Sequence, residues 1–284
     1  MVTASDVKQL RDITGAGMMD CKNALKEADG HLEKAIDILK VKGIAKAAKK
    51  SGRLAAEGVV VYDIGTNNDP KRLTIIELNC ETDFVAKSDS FIELSKSIFE
   101  TIHHSDEHES GVAKVDGMLK DAISVIGENL SLRKHFRLNT DGFWFVYQHD
   151  ASSIAYVAIS QDNEEIGRDL AMHITAMKPQ CIAPEDFPKD ILAKEEAVIV
   201  EQLKSENKPE QIKEKIKLGR LNKLKSEGAL MSQPFVKDST MSVQAFLASK
   251  DKDLKVLDFG YIKVGDDIDV SQKSFKDEVN ELLK

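Results

Sequence analysis

Only three cysteines occur in 284 residues, Cys21, Cys80 and Cys181, far apart and odd in number. They support no disulfide framework and match no zinc spacing, so a reducing compartment is expected. Long apolar runs are missing too: the longest span a few residues, far short of the roughly 20 that a membrane helix needs. The opening Met1-Val2-Thr3-Ala4-Ser5-Asp6 has no basic stretch before an apolar one and no Arg-rich amphipathic pattern. A bacterial-type cytoplasmic chain is the expectation. Basic residues do not dominate either. Forty Lys and Arg against 48 Asp and Glu give a formal net charge of −8, which disfavours nucleic acid and anionic membranes as partners.

Signatures of catalysis are also absent. No Gly-Lys-Ser or Gly-Lys-Thr occurs, so there is no Walker loop. Thr14-Gly15-Ala16-Gly17 lies between helical patterns rather than after a strand, and reads as a helix–helix turn. No direct nucleotide binding is expected. No Gly-x-Ser-x-Gly elbow exists, and the cysteines lack a base partner. His103, His104 and His108 with Asp106, Glu107 and Glu109 resemble a metal cluster, but they read as an exposed polar loop after a helix. His173 sits among apolar helical residues and reads as a partly buried, hydrogen-bonded histidine. The expectation is therefore no catalytic residue, no bound metal and no cofactor. A multi-module protein that works by binding fits best.

What is present is a succession of modules. Residues 1–40 read as three helices, with Val7 and Leu10, then Cys21, Ala24 and Leu25, then Leu32, Ala35, Ile36 and Leu39 at helical spacing. Residues 41–56 read as a basic linker, although their Ala and Lys content also suits a helix. From Gly58 the period turns to strands. Val59–Tyr62 and Leu73–Leu78 flank a Gly- and Asn-rich turn, and a helix with Phe91, Leu94, Ile98 and Ile102 follows, with Ser90 to Glu93 as a capping box. A helix is expected near Val115–Asn129. The hairpin plan then recurs from Asp141-Gly142, through Phe143–Tyr147 and Ile154–Ile159, to a helix over about 165–177.

This gives an α+β fold with a duplicated antiparallel hairpin-plus-helix core, over 57–140 and 141–188. Residues 189–228 read as an inserted antiparallel helical hairpin, suited to packing on a second copy of the chain. Residues 229–265 carry a strand, Val256–Val264, that completes the second core copy. Residues 266–284 are expected to form a C-terminal module whose helix holds Phe275, Val279, Leu282 and Leu283.

The run Cys80-Glu81-Thr82-Asp83-Phe84-Val85-Ala86-Lys87 stands out at a strand-to-helix junction. Phe84 either folds into the core or projects as an aromatic anchor for a partner. The second core copy has nothing like Thr82-Asp83-Phe84-Val85 after its strand. That absence favours a special role over burial.

These residues resemble the bacterial elongation factor Ts family, over nearly the whole chain. Leu10–Lys22, which includes Thr14-Gly15-Ala16-Gly17-Met18-Met19, is similar to that family's ubiquitin-associated (UBA)-like module. Cys80–Lys87, Ile126-Gly127-Glu128-Asn129, Met172-His173, Lys178-Pro179, Gln233-Pro234-Phe235-Val236 and Val264–Ile268 match its further runs in order. The resemblance implies a guanine-nucleotide exchange factor that binds elongation factor Tu–GDP. It also implies that Thr82, Asp83, Phe84 and Val85 enter the partner and disturb its Mg²⁺ coordination. Weaker partner contacts are implied at Gly17, Met18, Met19, His149, Phe235 and Val236, although Asp150–Ser153 depart from the family's pattern after His149. The alternative is an adaptor or chaperone-like binding module without exchange activity.

Overall fold

The computed structural model describes residues 2–66, 69–206 and 208–268. Among them are two compact units. One holds 2–66, 73–138 and 263–268; the other holds 69–72 and the rest of 139–262. The fold is α+β, as expected from the sequence.

The first unit opens with three helices. Thr3 and Asp6 cap α1 (Ala4–Thr14) reciprocally, and Gly15 ends it in the left-handed conformation. α2 (Met18–Glu27) and α3 (Leu32–Lys50) close on it around Leu10, Cys21, Ala24, Leu25 and Ala35. α3 does not stop near residue 40. It runs on to Lys50, so most of the segment expected as a basic linker is helix. The reason is tertiary: Ala47 is buried, and Gly43 meets α6 (His108–Ile126) so closely that a Cβ would lie 2.9 Å from the Ser124 hydroxyl. The basic side chains take the outer positions, with Lys46 on Asp20 at 2.8 Å and Lys50 donating to the Gly127 carbonyl.

β1 (Glu57–Thr66), β2 (Asp69–Cys80) and β3 (Ser131–Asn139) form a sheet in that order. α5 (Asp89–His103) and α6 pack against it. Phe91, Ile98 and Ile102 meet Ile76, Leu78, Val115 and Ile123 in one core. Each of these large side chains contributes about 1.5–3 kcal/mol by leaving water. Three local details differ from the sequence expectation. Ser88, not Ser90, caps α5, its hydroxyl accepting the Phe91 N–H at 3.4 Å. α6 starts at His108 and ends at Ile126, earlier at both ends than the sequence pattern indicates. Residues 131–139, to which the sequence reading assigned no element, form β3; their charged side chains break the apolar alternation that marks a strand.

The second unit is built on β4 (Phe143–Asp150) and β5 (Ser153–Ile159), an antiparallel pair in register from Phe143 opposite Ile159 to Gln148 opposite Ile154. β8 (Val256–Lys263) is hydrogen-bonded to the other side of β5, so the expected strand does complete this sheet. The turn after it does not stay with this unit. Gly265 donates its N–H to the buried Glu77 at 3.0 Å, within the first unit. α7 (Glu164–Met177), capped by Asn163, lies on β4 and β5 and places Leu170 and Ile174 in their core.

α8 (Lys189–Lys204) and α9 (Glu210–Gly228) form the expected helical hairpin. A small ladder of β6 (Pro234–Phe235) and β7 (Asp238–Ser242), absent from the sequence reading, leads into α10 (Val243–Lys250). The expected helix carrying Phe275, Val279, Leu282 and Leu283 lies outside the described residues. Among those described, no helix is long and apolar enough to cross a membrane.

One detail recurs in both sheets. A Cβ on Gly58 would lie 2.1 Å from the Leu78 carbonyl oxygen, and one on Gly142 would lie 2.1 Å from that of Ile159. Each glycine precedes or opens the first strand of its hairpin, and only glycine admits so close a backbone approach.

Candidate partner-binding site

β2 ends at Cys80, and the chain turns at once into α4 (Asp83–Ala86), a single helical turn. The Cys80 thiol is buried and bonds the Thr82 carbonyl oxygen at 3.2 Å. Burial, aided by the negative charge of Glu128, pushes this thiol up to about 12, so it is neutral packing and not a nucleophile. Thr82 caps the turn by accepting the Val85 N–H on its hydroxyl at 3.3 Å. Val85 packs on the core of the first unit and Ala86 is buried. Phe84, between the cap and these inward residues, is 83% exposed. The two sequence alternatives for Phe84 thus resolve: it stands outside the core.

The neighbouring charges are local. Lys87 bonds Asp83 at 2.7 Å, one helical turn away. That hydrogen bond, more than anything else near it, holds the Asp83 carboxyl below its ordinary range.

The corner is tied down from the end of α6. Glu128 accepts the backbone N–H groups of Glu81 and Thr82, each at 3.0 Å, on one carboxylate oxygen. Its other oxygen accepts the Thr82 hydroxyl at 2.7 Å. The exchange is mutual, because Glu81 accepts the Asn129 N–H at 2.6 Å and faces the Arg53 guanidinium at 3.6 Å. Asn129 in turn donates its side-chain amide to the Arg53 carbonyl at 2.7 Å. A turn with an exposed aromatic tip is therefore held by a network of charge-assisted hydrogen bonds.

A scan against family models matches residues 81–266 to one described as Elongation factor TS, a match that opens at this corner. The chain belongs to the elongation factor Ts family. Elongation factor Ts of Idiomarina loihiensis is 39% identical over 286 residues, covering 98% of this chain and 96% of its own. That of Halorhodospira halophila is 41% identical, covering 98% and 97%. That of Hydrogenovibrio crunogenus is 39% identical, covering 98% and 96%.

The other sites implied by the elongation factor Ts resemblance fall in different surroundings. Gly17, Met18 and Met19 are all exposed at the start of α2, and Ile13 on α1 is exposed as well. They form the solvent side of the three-helix module, whose core is made of other residues. His149 is exposed on β4 and lies 3.4 Å from the Tyr147 hydroxyl. Phe235 corrects the sequence expectation: it is buried, stacked on Phe246 with ring centroids 4.1 Å apart, and so serves the core rather than a partner surface. Val236 beside it is exposed.

The His-rich stretch also rearranges. His103 is buried at the end of α5 and stacks on Phe99, while His104 pairs with Glu100 at 2.7 Å. His108 belongs to α6 and meets His135 of β3, ring nitrogen to ring nitrogen at 2.8 Å. With Glu109 these two place potential metal-ligand atoms within 4.8 Å of one another among the described residues. Burial, with His135 and Arg137 nearby, keeps His108 below the ordinary imidazole range.

Sequence reading missed the part that Glu128 plays. Ile126-Gly127-Glu128-Asn129 was legible as a family run, but its 46-residue reach to Thr82 has no periodicity to reveal it.

Proposed function

We propose that this chain is a guanine-nucleotide exchange factor that binds elongation factor Tu–GDP and promotes GDP release. Membership of the elongation factor Ts family supports the partner. The observation that carries the mechanism is Phe84, exposed at the tip of a capped and hydrogen-bonded turn. A lone exposed apolar residue is ordinary on a protein surface. A large aromatic one, held out by a turn whose neighbours Val85 and Ala86 face the core, is suited to fill a partner's pocket. Phe84 has roughly 150–250 Å² to bury there.

In this reading Phe84 enters the nucleotide domain and shifts the segments that support its Mg²⁺. That ion needs near-ideal octahedral geometry to bridge the phosphate oxygens, so a small displacement of its support weakens nucleotide binding. Thr82 and Val85 fix the turn, and Asp83 orients it or biases the partner's switch segments. Coupling is reciprocal: the factor weakens GDP binding by the same ratio as GDP weakens factor binding. Gly17, Met18 and Met19 supply a second apolar contact, and His149 and Val236 weaker ones.

The same reading takes the three-helix module as UBA-like and the two sheets as copies of one ancestral unit. The matched close approaches of Gly58 to Leu78 and Gly142 to Ile159 support the duplication, as do Ile98 and Ile174 at like places on their helices.

The test is release of fluorescent GDP from elongation factor Tu, chased with unlabelled GDP. The wild-type chain is expected to accelerate it. A folded Phe84→Ala variant is expected to lose about tenfold or more of the acceleration at subsaturating factor, the effect of removing a hot-spot side chain worth about 1.4 kcal/mol or more. No acceleration by the wild type would end the exchange reading and leave a binding module.

A further inference from the structure

We propose that Glu128 is a positioning residue for the exchange surface, one that keeps the Thr82–Val85 turn in its partner-ready shape before any partner arrives. The inference rests on the exchange reading and adds to it a residue outside the turn.

The geometry is specific. A four-residue helical turn is too short to sustain itself, since nucleation fixes several residues for one hydrogen bond. Its order must come from elsewhere. Val85 and Ala86 hold its inner side. On the other side, where Thr82 starts the turn, the polar ties are to Glu128: two backbone N–H groups at 3.0 Å and one hydroxyl at 2.7 Å. The Thr82 hydroxyl performs two tasks at once. It donates to Glu128 and accepts from the Val85 N–H, so the same oxygen joins the clasp to the cap. Glu128 itself follows α6, which Gly127 caps in the left-handed conformation; the Gly127 carbonyl accepts Lys50 of α3. The turn is thereby tied to two long helices.

Glu128 grips the turn at its Thr82 start, whereas the Phe84 side chain projects into solvent. Its loss removes no wedge. It lets the turn sample other shapes, and binding then selects the ready fraction. The apparent dissociation constant rises by the inverse of that fraction, while the complex, once formed, holds an ordered turn. The expected signature is a changed half-saturating concentration with a nearly constant maximal rate. Loss of Phe84 removes the wedge itself and so lowers the maximal rate as well.

Glu128→Gln is the informative conservative change. Its carbonyl oxygen can accept both backbone N–H groups. Its amide can donate to the Thr82 hydroxyl oxygen, which then accepts from two donors. The shape of the clasp survives without the charge.

The experiment has two arms on the full-length chain. In the first, without partner, amide hydrogen exchange is followed at Glu81, Thr82, Val85 and Ala86. Glu128→Ala is expected to exchange about tenfold faster there, with the α5 amides unchanged, and Glu128→Gln to stay within about threefold of wild type. In the second, fluorescent GDP release from elongation factor Tu is measured against factor concentration. Glu128→Ala is expected to raise the half-saturating concentration about tenfold and to leave the maximal rate within about threefold, with Glu128→Gln close to wild type. Should Glu128→Ala fail to fold, Thr82→Val, which loses only the hydroxyl's two bonds, is expected to shift the same parameter by about threefold.

Unchanged half-saturation in a variant with loosened amides would overturn the inference, as would a loss confined to maximal rate. Unchanged amides would overturn it without reference to any partner. A wild-type chain that did not accelerate release would sink the exchange reading, and with it the positioning role, even if the amide data showed the clasp to be real.

Discussion

His173 is fixed in one neutral tautomer by Gln233 and the Val236 backbone. The Val236 N–H, which can only donate, lies 3.1 Å from the His173 Nδ1, so that nitrogen accepts. The proton sits on Nε2, which donates to the Gln233 side-chain carbonyl at 3.0 Å. The Gln233 amide donates onward to the Glu227 carbonyl at 2.8 Å. Burial holds His173 below the ordinary imidazole range. With the folded value depressed below the unfolded one, near 6.5, its contribution to stability is complete above that pH and lost as pH falls through the folded value. A proton at Nδ1 would also displace the Val236 N–H. Urea midpoints at pH 7.5 and pH 5 are expected to fall further for wild type than for His173→Gln. Equal falls in midpoint would show that His173 is not the group responsible.

Phe235 and its neighbour Val236 separate core from surface. Phe235→Ala is expected to cost about 3–5 kcal/mol, because it removes a ring packed on Phe246 and His173. Val236→Ala is expected to stay within about 0.5 kcal/mol. Chemical denaturation followed by circular dichroism distinguishes them. A mild Phe235→Ala would return that residue to the partner surface.

Glu77 gives a third expectation. Its carboxylate is fully buried and meets Lys134 at 3.4 Å and the Gly265 N–H at 3.0 Å. Lys134 also reaches Asp267 at 2.8 Å. Lys134→Met would strand a buried charge and is expected to cost about 3 kcal/mol, most of it recovered in the Lys134→Met, Glu77→Gln double variant. A double-mutant cycle by urea denaturation measures the coupling. Additive losses would mean that the pair is not coupled.

The helical hairpin of α8 and α9 is expected to self-associate. Val198 and Val200 on one helix, and Ile212 and Leu218 on the other, are exposed despite the packing of the two helices on each other. Light scattering should report a dimer that Val198→Glu with Leu218→Glu converts to monomer. A monomeric wild type across the working concentration range would remove this role.

What was legible in the sequence follows the reach of its signals. β2 and α5 are dominated by apolar residues at strand and helix spacing, and Leu73–Leu78 and Phe91, Ile98 and Ile102 took their expected places. β3 stayed hidden because Arg133, Lys134 and Arg137 occupy a strand whose partners are buried Glu77 and the carbonyls of Ile102 and Ser105. Alternation cannot report such polar burial. α3 was cut short because the contact that continues it, Gly43 on Ser124, joins residues eighty-one positions apart. At the site, Thr82–Val85 was found by its position after a strand and by its absence from the second copy. The outward direction of Phe84 and the grip of Glu128 depend on tertiary placement, which no local pattern encodes.

The burial of Cys21, Cys80 and Cys181 has a practical outcome. The native chain offers no accessible thiol, so it needs no cysteine removal before site-directed labelling. A single Lys87→Cys, beside the turn on an exposed position, would take a maleimide dye alone. That dye would report partner docking optically, with Phe84 left intact.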